Sequence, residues 1–114
     1  MTLILASTTA VDFHKGSEFT LRQKILDDDT GDDYDLTNTT VTLRMAHSHT
    51  DQYSVMEVLG SIIVAEEGLV QFTFTPEMTA ELSVKGYDFS VMVDDYPAGY
   101  GRIGVLSQLP EVEA

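Results

Sequence analysis

The stretch that most constrains the fold runs from residue 27 to residue 45. Asp27, Asp28, Asp29, Thr30, Gly31, Asp32, Asp33, Tyr34 and Asp35 come first, and Leu36 to Met45 follow. Six aspartate side chains cannot be desolvated together, so the first half is a polar turn. In the second half Val41, Leu43 and Met45 share one strand face, and Thr40, Thr42 and Arg44 share the other. A polar turn running into a half-buried strand predicts an antiparallel β domain.

A chain of 114 residues, 43% apolar, suffices for one domain with one hydrophobic core. We expect a single domain over residues 1–114, with 1–12 as an N-terminal arm or first strand and 110–114 as an acidic tail. Six Lys and Arg stand against nineteen Asp and Glu, a formal charge of −13. Such a surface repels phosphate backbones and anionic lipid, so neither nucleic acid nor a membrane is an expected partner. It is compatible with plain solubility, a basic partner, cations or a crowded ring of subunits. The chain has no Cys, hence neither a disulfide framework nor a thiolate metal site. No apolar run approaches the ~20 residues of a membrane helix. Leu3-Ile4-Leu5-Ala6 lacks the basic flank of a signal peptide and reads as a first strand or a docking arm.

Further strands are expected at 19–26, 39–46, 53–59, 61–65, 69–75, 87–93 and 102–109. The clearest is 69–75, with Val70, Phe72 and Phe74 on one face. Thr75-Pro76-Glu77 predicts a short helical turn near 76–83, with Thr75 as N-cap and Pro76 at the first helical position. Asp94 to Gly99 reads as a turn. About seven short strands with one helical turn predict an all-β sandwich, and a barrel is the structural alternative.

No pattern in the chain builds a catalytic or metal site. Gly99-Tyr100-Gly101-Arg102-Ile103-Gly104 matches G-x-G-x-x-G in form. Too little chain follows it for a βαβ unit, so it reads as a glycine-rich turn and strand edge. The Asp27–Asp35 cluster does not fit a calcium loop, because Gly31 falls at a ligand position and no Glu closes it. His47 and His49, with Asp51 nearby, lack the full ligand set of a metal centre and read as an exposed loop, as does the solitary His14. No nucleophile elbow is present. Asn38-Thr39-Thr40 is formally a glycosylation sequon but fits strand propensity better. Neither a cofactor nor a metal is expected.

Three longer sequence words stand in order along the chain. The first is Asp35-Leu36-Thr37-Asn38-Thr39-Thr40-Val41-Thr42-Leu43-Arg44. The second runs from Ala65-Glu66-Glu67-Gly68 through Leu69-Val70-Gln71-Phe72-Thr73-Phe74 to Thr75-Pro76-Glu77-Met78-Thr79. The third is Gly86-Tyr87-Asp88-Phe89-Ser90-Val91. In order and spacing, over roughly residues 13 to 109, the chain resembles the immunoglobulin-like sandwich of phage tail and baseplate proteins. The likeness is to the N-terminal domain of upper baseplate proteins and equally to collar proteins that attach side tail fibres. It departs from the family pattern at the third word, where Tyr87 follows Gly86 directly. The further domains of a baseplate protein are also missing from this sequence.

The resemblance implies a non-enzymatic virion protein, assembled in the host cytoplasm. It would be an oligomeric ring, collar or adaptor subunit that holds fibres or neighbouring tail proteins. Its expected contact residues are Leu3, Ile4 and Leu5, which could add a strand to a neighbour, and Tyr96, Tyr100 and Arg102. A capsid decoration protein shares the same expected fold. A carbohydrate-binding module is the alternative from another class; it would use Tyr53, Tyr96 and Tyr100 in place of the usual Trp, which the chain lacks.

Overall fold

Nine strands form two sheets in the computed structural model, which describes residues 3–5, 10–47, 54–94 and 96–107. The strands are β1 (Leu3–Leu5), β2 (Ala10–His14), β3 (Phe19–Asp27), β4 (Val41–Ala46), β5 (Met56–Leu59), β6 (Ser61–Val64), β7 (Leu69–Phe74), β8 (Gly86–Val93) and β9 (Tyr96–Leu106). One sheet has the order β1-β3-β7-β6, the other β2-β9-β8-β4-β5. The all-β, sandwich-like architecture follows from period-two burial. Leu21, Gln23 and Ile25 on β3 and Val70, Phe72 and Phe74 on β7 face inward. Val41, Leu43 and Met45 on β4 and Tyr87, Phe89, Val91 and Val93 on β8 face them from the other sheet. The apolar ones among these side chains form one continuous core, with the buried amide of Gln23 beside it.

Several expectations are corrected. The described residues contain nine strands rather than about seven, and the sandwich is not wholly antiparallel. β2 lies parallel to β9, with Val11 opposite Ile103 and Phe13 opposite Val105. β9 begins at Tyr96 rather than near Arg102. Val93 pairs directly with Tyr96, and Asp94 turns the chain with φ 51°. The Gly99–Gly104 motif therefore lies within a strand. Gly101 sits beneath the Phe89 ring, where a Cβ has no space. The helix is a shorter piece than expected, α1 (Pro76–Ala80). Its predicted cap is in place: the Met78 amide donates to Thr75 Oγ1 at 3.3 Å. His14 ends β2 instead of lying in a loop, its Nδ1 3.0 Å from the Ser107 carbonyl oxygen. His47 is exposed but stacks on Tyr87, with centroids 5.6 Å apart. His49, Asp51, Tyr53 and the 110–114 tail lie outside the described residues.

Residues 27–35 form a solvated turn stabilised by its own side chains. Asp27 Oδ1 accepts from the Asp29 amide at 2.9 Å, and Thr30 Oγ1 accepts from the Asp32 amide at 3.2 Å. Gly31 supplies the left-handed conformation the turn needs, φ 76°. Asp35 Oδ1 accepts from the amide and hydroxyl of Thr37, at 2.9 and 2.6 Å. The Thr37 hydroxyl, and then its amide, hold the Asp35 carboxyl below the usual aspartate range. Among the described residues no group of three or more His, Asp and Glu is arranged to hold a metal.

Candidate interaction surface

Among the described residues, one lateral side of the sandwich is uncovered and rich in aliphatic side chains. β5 is the last strand of the five-stranded sheet and β6 the last of the four-stranded sheet, and Gly60 joins them. A Cβ on Gly60 would stand 2.6 Å from Val70 Cγ2, 2.9 Å from Phe72 Cε1 and 3.0 Å from the Val41 carbonyl oxygen. Only glycine lets the chain cross so close to the core. The Gly60 amide donates to that same carbonyl at 2.7 Å, fixing the corner. The corner throws its neighbours outward. Leu59 is 70% exposed, and all four residues of β6 are exposed. Exposed Leu59 is followed across the corner by exposed Ile62, Ile63 and Val64, an aliphatic strip, with the Glu57 carboxylate, paired to Arg44, on the same outward face of β5 as Leu59. Isolated exposed aliphatics are ordinary, but a contiguous strip on an edge strand is not.

Among the described residues the backbone of this edge is also without a pairing strand. β3 pairs with β7 so that Gln23 faces Val70 and Ile25 donates to Gly68 at 2.9 Å. Ladder alternation then sends the polar groups of Val70 toward β3 and those of Gln71 toward β6. Ser61 pairs with Gln71, and Ile62 faces Val70. Ile62 consequently turns its N–H and C=O outward, and no described strand lies beyond it. A bulge falls between Ile62 and Val64 and leaves Ile63 unpaired, so the regular ladder is short.

A second property belongs to one end of this strip. β6 runs into a 3-10 turn, Ala65–Glu67, whose Glu66 and Glu67 are exposed. The Leu36 amide donates to the Ala65 carbonyl at 2.9 Å, which brings exposed Asp35 beside them. The Gly68 N–H closes the turn on the Ala65 carbonyl at 3.1 Å. Among the described residues the nearby cation Lys24 is already engaged with Asp33 at 3.0 Å. The strip thus ends in an acidic field.

The expected contact residues lie on the other side of the molecule. Leu3 and Leu5 are each only 5% exposed, since β1 pairs with β3 within the same chain. In this structure Leu3–Leu5 is a strand of the chain's own sheet, and of the three only Ile4 points outward, at 36%. Leu5 packs over Gly99, where a Cβ would approach Leu5 Cγ to 2.7 Å, so β1 and β9 are brought together. Tyr96, Tyr100 and Arg102 are exposed on β9. Tyr100 and Arg102 share its outward face, with Arg102 3.6 Å from Asp88 and Tyr100 opposite Ser90. β8 and β4 separate them from β5.

Ser61 to Ala65 reads in the sequence as a β-branched run, without any sign that it is exposed. The available signal was its lack of alternation next to a glycine and two glutamates. On the outer face of the five-stranded sheet, Thr42, Arg44, Glu57, Met92 and Asp94 line a depression of about 160 Å³. The Arg44–Glu57 ion pair, 2.9 Å, occupies it, and its volume is below the ~300 Å³ of a small-molecule pocket. The molecule is thus an all-β two-sheet domain whose most distinctive feature is an apolar edge. No protein-family model matches the chain, and no curated protein matches it in sequence.

Proposed function

We propose that this chain is a non-enzymatic structural subunit of a phage tail or baseplate. In this reading it is a ring, collar or adaptor component of immunoglobulin-like fold that holds a fibre or neighbouring tail protein. The observation that carries the proposal is the exposed aliphatic β5–β6 edge, which supports a protein contact there.

Strand order supports the immunoglobulin-like assignment. β1, β3, β7 and β6 take the places of strands A, B, E and D, while β4, β8 and β9 take those of C, F and G. β5 adds the extra edge strand of a variable-type sheet. At the start of β8 the Tyr87 hydroxyl accepts from the Ser83 amide at 3.0 Å, four residues upstream. This is the geometry of a tyrosine corner, which gives the third sequence word a structural purpose. The first word spans the loop into β4, and the second spans the 3-10 turn, β7 and α1.

Light scattering on the purified protein, alone and mixed with tail proteins, tests the proposal. The expected result is a defined higher oligomer or a complex with a tail component. A strict monomer that binds no virion component contradicts it.

A further inference from the structure

We propose that the β6 edge receives an extended strand from a different protein, and that this strand carries Lys or Arg immediately before an apolar stretch. The inference rests on the adaptor reading and gives the chemistry of its partner. Strand addition needs an open backbone edge, which Ile62 supplies. It needs side-chain contacts to compensate for a ladder shortened by the bulge, and Leu59, Ile62, Ile63 and Val64 supply them.

Polarity places the charges. Every strand pair in the four-stranded sheet is antiparallel, and the proposal takes the added strand in the same sense, the more stable pairing per residue. β6 runs from Ser61 toward Glu66 and Glu67. An antiparallel guest therefore lays its N-terminal end beside Glu66, Glu67 and Asp35, where basic residues are favoured. A second copy of this chain is the weaker occupant, because two molecules of −13 repel each other.

Fluorescence anisotropy with synthetic peptides on the full chain is the test. One peptide places two Lys and an Arg before an alternating Val/Ile strand, a second places them after it, and a third replaces them with Glu. The first is expected to bind tightest, and raising salt from 0.05 to 0.5 M to weaken it by screening. Glu66→Gln with Glu67→Gln should cost about threefold or more in affinity. Ile62→Lys should abolish binding, with Leu59→Lys as a second variant and circular dichroism as the check on folding. Equal binding of the first two peptides overturns the polarity. If none binds, the proposal fails; self-association that strengthens with salt in sedimentation then assigns the edge to a second copy. Failure to find the protein in virions while the first peptide still binds counts against the adaptor reading alone.

Discussion

Phe72 is fully buried between the sheets, with Val70 and Phe74 beside it on the same face of β7. Phe72→Ala should destabilise the domain by about 3–5 kcal/mol in chemical denaturation. Phe72→Asp should prevent soluble folding, and a folded Phe72→Asp protein would contradict the strand register. Asp28 is exposed in the turn, so Asp28→Ser should leave the denaturation midpoint unchanged. Asp35 behaves differently from its neighbours in that turn. Its carboxyl titrates below the usual aspartate range because the ionised form accepts two bonds from Thr37. The stabilising contribution is present above the ordinary aspartate pKa and disappears as the pH falls through the lowered one. Thr37→Val keeps the amide donor and loses the hydroxyl, so NMR titration of Asp35 should move part of the way back up. An unchanged titration would show that the hydroxyl is not the cause.

At the scale of elements, Gly60 decides whether the β5–β6 corner forms. Gly60→Ala forces a Cβ against Val70 and Phe72, and overpacking of this kind costs about 1–3 kcal/mol. Thermal denaturation should show the loss, and a variant as stable as the parent would mean that the corner relaxes freely. β4, β7 and β8 were legible in the sequence because each sets large apolar residues inward at every second position, and β3 does so on either side of inward Gln23. The first half of β9 was hidden for the opposite reason. Its inward positions include Ala98 beside Gly99, and Gly101, small residues chosen by Leu5 and Phe89 packed over the two glycines. β2 escaped notice because its partner is far away in the chain, Ala10 lying opposite Arg102. The exposure of β6 was equally illegible. A continuous apolar run ordinarily marks a strand covered on both faces, and nothing within Ile62-Ile63-Val64 tells covered from uncovered.

For the whole molecule, surface charge and the apolar edge act together. A net charge of −13 sets a general repulsion between copies that any specific contact has to overcome, and the aliphatic strip is the place where we propose that another chain binds. The acidic turn that dominates the sequence thereby acquires a second role. It folds as a solvated hairpin and, through Asp35 beside Ala65, adds charge to one end of the strip. The most direct test of the proposed function is electron microscopy of intact phage particles carrying this protein. The expected result is density for it at the tail or baseplate in repeated copies, with Leu59 and Ile62–Val64 covered by a strand of a neighbouring protein. Its absence from the particle would contradict the virion role, and a β5–β6 edge facing open solvent there would contradict the proposed contact.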